Sequence, residues 1–175
     1  MESCTEKDNF PLQGMELFKG LSSEQIRKVV NICHAVRVSE NEIIMKEGDM
    51  GDSMYIILQG TVEVIKRLIL AGLDDDEGAD KNKVFTRIDS AGRHPVFGEI
   101  ALLQESKRTA TVRAVTDCIL CEIKKIDFLS LTESDFELGY RMLLNMASIV
   151  SARLRKADED TVKLTTVLSM ILKET

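Results

Sequence analysis

Hydrophobic and polar positions follow two different periods along this chain of 175 residues. In residues 21–33 the apolar positions have helical spacing, and Ser22 followed by Gln25 makes a capping-box pattern, so a short amphipathic helix is predicted there. Short runs rich in valine and isoleucine then alternate with turn residues, which predicts the strands of a sandwich, roll or barrel. The predicted strands cover residues 36–38, 42–45, 54–58, 61–66, 84–88, 110–115 and 118–123.

The C-terminal part returns to a helical period. Apolar or small residues recur there at steps of four and three for five heptads, interrupted only by Thr161. A helix over residues 136–171 would be about 54 Å long, which is longer than a single barrel can cover. The series consists of Phe136, Tyr140, Leu143, Ala147, Val150, Leu154, Ala157, Thr161, Leu164, Leu168 and Ile171.

Two interpretations of this helix remain open. It either folds back on its own domain, with a break near residues 158–160, or forms the seam of a coiled-coil dimer, which is the interpretation we favour. Met142, Met146 and Ile149 form a second stripe at helical spacing. We expect this second stripe to pack against the strands as core.

Charge and targeting signals narrow the class of protein. The net charge of −6 argues against nonspecific electrostatic binding to nucleic acid or to an anionic membrane. A local basic pocket can still bind a small anion. No apolar run reaches the roughly 18 residues that a membrane crossing needs. Residues 1–9 are polar and acidic, unlike a signal or transit peptide. We therefore expect a soluble, cytoplasmic protein.

The residue types that build metal or catalytic sites are sparse. Cys118 and Cys121 form a C-x-x-C pattern, but on a predicted strand two residues three apart point to opposite faces, so both are interpreted as structural thiols outside any disulfide framework. His34 and His94 are too far apart in sequence for a histidine cluster. The acidic stretch 73–83 lacks the order of a calcium loop and is predicted to be a solvated hairpin loop. Neither an enzyme nor a metal site is expected.

One segment, residues 97–114, combines groups that can bind an anion. Gly98 precedes about one helical turn, whose first N–H groups can face a phosphate. Arg108 can offer its guanidinium to phosphate oxygens, and Thr109 adds a hydroxyl. Glu99 would repel a phosphate, so it fits such a site only if it accepts a hydrogen bond from a ribose hydroxyl. The alternative is a loop held together by a Glu99–Arg108 ion pair.

This segment resembles the phosphate-binding cassette of the cyclic-nucleotide-binding domain family, which includes the catabolite activator protein and protein kinase A regulatory subunits. The similar motifs are F-G-E-I-A-L at 97–102 and R-T-A-T-V-R-A at 108–114. Leu17-Phe18 and residues 47–64 are also similar to the family, so the resemblance spans roughly residues 17–154. It implies a mostly β fold, an antiparallel, jelly-roll-like β-roll at 17–128. A polar segment at 1–16 precedes the roll, and a C-terminal helical lid and dimerisation segment at 129–175 follows it.

The resemblance also implies roles for single residues. Glu99 would bind the ribose 2′-hydroxyl and Arg108 the cyclic phosphate, while backbone N–H groups of the cassette complete the phosphate site. The C-terminal helix would close over the base, with Arg153 or Leu154 near the base-facing position. The implied ligand site consists of Phe97, Gly98, Glu99, Ile100, Ala101, Arg108, Thr109, Ala110, Arg153 and Leu154.

The function expected from this resemblance is a cyclic-nucleotide sensor without a cofactor or metal. The ligand would be cAMP or cGMP; Thr109 leaves cGMP open, and we favour cAMP. The signal would pass through the C-terminal helix to a homodimer or a separate effector protein, and no DNA-binding domain is expected after the roll. Residues 91–97 depart from the family pattern, which keeps open the alternative of a dimerising scaffold with a vestigial pocket or another ligand.

Overall fold

Short antiparallel strands dominate the part of the chain that the computed structural model describes, which is residues 12–67, 82–104 and 106–173. Each of the seven strands expected from the sequence is present. The strands are β1 (Cys33–Val38), β2 (Ile43–Met45), β3 (Met50–Gly51), β4 (Ser53–Gln59), β5 (Thr61–Arg67), β6 (Asn82–Asp89), β7 (Val96–Phe97), β8 (Ser106–Lys107), β9 (Thr111–Ala114) and β10 (Cys118–Lys124). The helices are α1 (Ser23–Asn31), α2 (Ile100–Leu103), α3 (Lys125–Ser134) and α4 (Phe136–Lys173), after two 3-10 turns at Leu12–Gly14 and Glu16–Phe18.

Two four-stranded antiparallel sheets form the roll. One has the strand order β1-β10-β4-β7 and the other β2-β9-β5-β6, and a two-stranded ladder joins β3 to β8. The expected fold, an antiparallel β-roll with an N-terminal helix and a long C-terminal helix, is therefore confirmed. Most of the polar loop predicted at 73–83 lies outside the described residues, as does the polar segment at 1–9.

The start of α1 follows the sequence pattern, while its end does not. The Ser22 hydroxyl accepts a hydrogen bond from the Gln25 N–H, and the Gln25 side chain accepts one from the Ser22 N–H, which is the expected capping box. The helix ends at Asn31, however, and Cys33 opens strand β1 opposite Ile123. The predicted helix of 21–33 was therefore too long at its C-terminal end, because an apolar residue at that spacing suits a buried strand equally well.

Helix α4 is continuous over 38 residues, about 57 Å. The break considered near residues 158–160 is therefore absent, although the first part of α4 does pack against its own roll. The second stripe behaves as expected: Met142, Met146 and Ile149 are buried in a core cluster with residues of α1, β4 and β10. None of the described helices combines the length and the apolar character needed to span a membrane.

The cysteines confirm that Cys118 and Cys121 lie on opposite faces of a strand, but they contradict the expectation that neither forms a disulfide. Cys118 and Cys121 are buried in different core clusters on the two faces of β10, as the strand period predicts. Cys121 is not a free thiol, however, because it forms a disulfide with Cys33 on the neighbouring strand β1, where the Cα atoms are 5.4 Å apart. Cys118 is free, and burial raises the pKa of its thiol.

Candidate functional site

A cavity of about 650 Å³ lies between the cassette segment, strands β5 and β6, and helix α4. Nine of the ten residues expected in the ligand site line it: Phe97, Gly98, Glu99, Ile100, Ala101, Arg108, Thr109, Ala110 and Arg153. Leu154 does not line the cavity, and its side chain is 61% exposed. From α4 the residues that line the cavity include Ala152, Arg153, Lys156 and Ala157, and Leu154 lies about 100° further around the helix than Arg153. Of the expected pair, only Arg153 is in the cavity wall.

The Arg108 guanidinium is buried and fixed from several directions. Its Nη1 donates to the Ser53 carbonyl at 2.6 Å and to the Gly98 carbonyl at 3.5 Å, and its Nη2 donates to the Ser53 hydroxyl at 3.1 Å. The backbone N–H of Arg108 donates to the Asp49 carbonyl in the turn before β3. The side chain therefore has little freedom to change direction when a ligand arrives.

Two glycines make room for this guanidinium. A Cβ atom at Gly51 would lie 2.5 Å from Arg108 Nε, and one at Gly98 would lie 2.9 Å from Arg108 Nη1. Gly98 also has a backbone φ of +75°, which residues other than glycine rarely adopt. Its closeness to Arg108 gives Gly98 a second function besides starting α2, and this function was not visible in the sequence.

The charge of Arg108 has no carboxylate partner within the described residues. Its three hydrogen bonds go to carbonyl and hydroxyl oxygens, which are polar but neutral. A buried cation without a counter-ion is costly, and an anion that enters the adjoining cavity relieves this cost. The ion pair between Glu99 and Arg108, proposed above as the alternative to a ligand site, is therefore absent.

Aromatic and hydroxyl groups support the arginine from behind. The Tyr55 ring stacks on Phe97 with 5.1 Å between the ring centroids and lies 6.0 Å from the Arg108 guanidinium carbon. The Tyr55 hydroxyl donates to Glu122 Oε1 at 3.0 Å. Burial raises the pKa of the Tyr55 phenol, so this group remains a neutral donor at ordinary pH.

The Glu99 carboxylate is paired with an arginine of helix α4. Arg153 Nη1 donates to Glu99 Oε1 at 2.7 Å, and Arg153 Nη2 donates to the Val96 carbonyl at 2.5 Å. Glu99 is only 6% exposed, so the pair lies in the wall of the cavity. Arg153 was expected near a base because of the family resemblance, whereas here it contacts the residue expected to bind ribose.

The backbone of the cassette partly matches the expected phosphate site. The Ala101 N–H already donates to the Gly98 carbonyl and the Leu102 N–H to the Glu99 carbonyl, so these two groups are used inside the short helix. Thr109 is exposed toward the cavity, whereas Ala110 is buried. The side chain of Arg108 is therefore a stronger basis for anion binding than the N–H groups of α2.

Glu16 connects three segments near the cavity, a role that no local sequence pattern indicates. Its Oε2 lies 2.7 Å from His94 Nε2 and accepts from Arg93 Nε at 3.2 Å, and its Oε1 accepts from the Ser148 hydroxyl of α4 at 3.3 Å. The hydrogen bond with His94 lowers the pKa of the Glu16 carboxyl. The unusual Arg93-His94 pair before the cassette is thus held to the 3-10 turn and to α4.

The described residues contain no cluster of three or more histidine, cysteine or acidic side chains suited to a metal ion. In the part of the chain that the structure describes, the cavity offers hydrogen-bonding groups and the Arg108 guanidinium, which has no carboxylate partner there. This arrangement can bind an anion that also carries a hydroxyl group.

A family model, curated sequences and solved structures all relate this chain to proteins of one family. A family model described as "Cyclic nucleotide-binding domain" matches residues 35–135. The cAMP-dependent protein kinase regulatory subunit of Eremothecium gossypii is 32% identical over 134 residues, which are 73% of this chain and 26% of that protein. The cGMP-dependent protein kinase, isozyme 2, of Drosophila melanogaster is 31% identical over 110 residues, 63% of this chain and 8% of that protein.

Among solved structures, the catabolite activator protein of Thermus thermophilus has a TM-score of 0.68 and 27% sequence identity. The match covers 86% of this chain and 63% of that chain. This chain therefore spans about a quarter of the kinase regulatory subunit, a far smaller share of the kinase, and under two thirds of the bacterial protein.

Proposed function

This chain belongs to the cyclic nucleotide-binding domain family, and from that premise we propose that it is a regulatory sensor that binds cAMP in the cavity beside α2. The single observation that carries the proposal is the buried Arg108 guanidinium, which has no carboxylate partner among the described residues and lies in the cavity wall. A cyclic phosphate supplies the missing negative charge.

The remaining groups fit the other parts of a nucleotide. Glu99 accepts a hydrogen bond from the ribose 2′-hydroxyl, since a carboxylate has several acceptor positions. Val64, Ile88 and Val112 give one side of the cavity an apolar lining, which suits a purine base. We favour cAMP over cGMP, since among the described cassette residues the Thr109 hydroxyl is the feature that suits guanine, and a hydroxyl at this position does not by itself exclude cAMP.

Signal output in this proposal passes through α4. The helix contributes Ala152, Arg153, Lys156 and Ala157 to the cavity, so a bound ligand contacts α4 directly. Its distal half extends beyond the roll and exposes Leu164 and Leu168, which continue the heptad series. We assign this series to a seam with a second copy of the chain, since an apolar stripe with a coiled-coil period is buried most simply by another such helix.

The binding test uses isothermal titration calorimetry with cAMP and cGMP on the full chain. Arg108→Ala is expected to weaken binding at least about a hundredfold. The charge-assisted contact to the ligand is lost, and the buried Ser53 oxygens lose their hydrogen-bond donor. Arg155→Ala removes an arginine from the exposed side of α4, outside the cavity, and should leave binding unchanged.

A second variant guards against loss of the fold. Arg108→Lys keeps the charge but not the planar fork, so it should fold and bind with intermediate affinity. The sensor proposal is wrong if wild type binds neither nucleotide, or if Arg108→Ala binds a nucleotide as tightly as wild type does. The chain is then better described as a dimerising scaffold with a vestigial pocket or another ligand.

A further inference from the structure

The hydroxyl group that contacts Arg108 belongs to a chain of hydrogen bonds that ends on a carboxylate. Arg108 Nη2 donates to the Ser53 hydroxyl at 3.1 Å, and the Ser53 hydroxyl donates to the Tyr55 hydroxyl at 3.4 Å. The Tyr55 hydroxyl in turn donates to Glu122 Oε1 at 3.0 Å. We call Ser53, Tyr55 and Glu122 the hydroxyl relay. Every donor in it points the same way, from the guanidinium toward the carboxylate.

The strand pattern brings the members of the hydroxyl relay together. Ser53 and Tyr55 are two residues apart on β4 and therefore share one face of that strand. In the ladders of the same sheet, Tyr55 lies opposite Glu122 of β10 and opposite Phe97 of β7. Stacking on Phe97 limits the rotation of the Tyr55 ring, so its hydroxyl is held between Ser53 and Glu122.

The hydroxyl relay determines how the Ser53 side chain faces Arg108. A hydroxyl group has one hydrogen and two lone pairs. Because its hydrogen is directed at Tyr55, the Ser53 hydroxyl keeps a lone pair for Arg108 Nη2, while the Ser53 carbonyl accepts from Nη1 at 2.6 Å. Ser53 is only 2% exposed, so these two contacts are sheltered from competition by water.

The carboxylate at the end of the hydroxyl relay stabilises Arg108 from a distance. Hydrogen bonds that run in one direction polarise one another, and a charged acceptor strengthens the bond that it receives. Glu122 therefore makes the Tyr55 and Ser53 oxygens better acceptors. Burial raises the pKa of the Tyr55 phenol, so its proton stays in the relay at ordinary pH. The charge of Arg108 is thus supported without a direct ion pair that would compete with an anionic ligand.

The contacts with Ser53 leave one edge of the Arg108 guanidinium unused. The Nε and Nη2 atoms of a guanidinium carry parallel N–H groups along one edge, which matches two oxygens of a phosphate. Over the described ranges, no group accepts a hydrogen bond from Arg108 Nε, and Nη2 uses one of its two hydrogens. By fixing the other edge, Ser53 sets the direction of the edge that remains for a ligand.

We propose that Tyr55 is a positioning residue of the anion site, which acts through Ser53 to hold the Arg108 guanidinium in the orientation that binds the phosphate, with Glu122 as the charged end of the hydroxyl relay. The inference rests on the proposed function. Since the relay acts on Arg108 alone, its variants should change ligand affinity as one unit.

The test is a double-mutant cycle along the hydroxyl relay. The cyclic nucleotide that binds more tightly to wild type is titrated into the full chain by calorimetry. Tyr55→Phe keeps the ring and its stacking but removes the hydroxyl, and should weaken binding about three- to tenfold. Ser53→Ala removes the hydroxyl next to Arg108 and should weaken binding at least as much. In the Ser53→Ala background, Tyr55→Phe should have no further effect, because the relay no longer reaches Arg108.

Two further variants complete the experiment. Tyr140→Phe removes the hydroxyl of the chain's other tyrosine, whose side chain on α4 is 61% exposed and does not line the cavity, and should leave binding unchanged. Glu122→Gln keeps an acceptor for Tyr55 but removes the charge, so it should weaken binding less than Tyr55→Phe does. It replaces Tyr55→Phe in the cycle if that variant does not fold.

Two outcomes would overturn the inference and leave the sensor proposal standing. One is a Tyr55→Phe protein that binds the nucleotide as tightly as wild type does. The other is an equal loss of affinity from Tyr55→Phe in the wild-type and Ser53→Ala backgrounds, which would mean that Tyr55 supports the wall of the site without acting through Ser53. Failure of wild type to bind either nucleotide would overturn both proposals.

Discussion

The two halves of α4 have the same secondary structure and similar apolar content but different surroundings. In the proximal half, Leu138, Met142, Met146 and Ile149 are fully buried against the roll. In the distal half, the large apolar side chains described from Leu154 to Leu172 are each more than half exposed. A helical hydrophobic period therefore does not by itself identify the surface that covers it. The proximal stripe is covered within the chain, whereas the distal stripe is exposed and is the surface that we assign to the proposed seam.

The largest expected effect comes from one substitution made in both halves. Met146→Ala should lower the free energy of unfolding by about 2–5 kcal/mol, because it removes a buried side chain and leaves a cavity. Met170→Ala removes the same atoms from a side chain that is 61% exposed and should change stability by no more than about 0.5 kcal/mol. Urea unfolding of both variants at one protein concentration measures the difference, and equal effects would contradict the division of the helix.

An intermediate effect is expected at the distal stripe. Leu164→Lys combined with Leu168→Lys should weaken self-association at least about tenfold, since two charges would enter an apolar seam. Val162→Lys is the matched control, because Val162 is also exposed but lies on the opposite side of the helix from the heptad series. Sedimentation over a range of concentrations measures the association. A wild-type protein that stays monomeric would contradict the dimer proposal.

The smallest expected effect concerns the polar contacts of the proximal half. The hydrogen bond from His94 lowers the pKa of Glu16 below its ordinary value of 4.5, so the stabilisation is fully present above that pH and is lost as the pH falls through the lowered value. The melting temperature of wild type should therefore fall more steeply between about pH 5 and pH 3 than that of Glu16→Gln.

Other carboxyls titrate in the same range, and the pKa of Asp135 is lowered by its hydrogen bond from Lys28. Both proteins contain this group, so only the difference between the two melting curves reports on Glu16. Parallel curves would mean that the connection between α4 and the segment before the cassette does not stabilise the fold.

Local patterns predicted much of this structure. The capping box of α1, the strand period that separates Cys118 from Cys121, and the buried methionine stripe all depend on residues close together in sequence. Strands β3, β7 and β8 were missed because two residues are too few to show a period. Helix α3 was missed because no regular apolar spacing was identified between β10 and Phe136.

The sequence predicted which residues line the cavity but not most of the contacts that they make. The cassette motif located Glu99 and Arg108, but the partner of Glu99 depends on the rotation of a helix 54 residues further along the chain. The space that Gly51 leaves for Arg108 depends on how the β3 turn packs against the cassette. Such contacts between distant segments follow from tertiary packing, for which a single sequence has no local signal.

The bond between Cys33 and Cys121 closes a ring whose ends are 88 residues apart, and the whole cassette lies inside this ring. A single backbone cleavage at any point inside the ring would therefore leave the two fragments covalently joined. Helix α4 lies outside the ring, so a cleavage just before Phe136 would leave it attached to the roll only by noncovalent packing. Under non-reducing conditions a protease would thus cut the covalent link between α4 and the roll before it could separate the two ends of the cassette from each other.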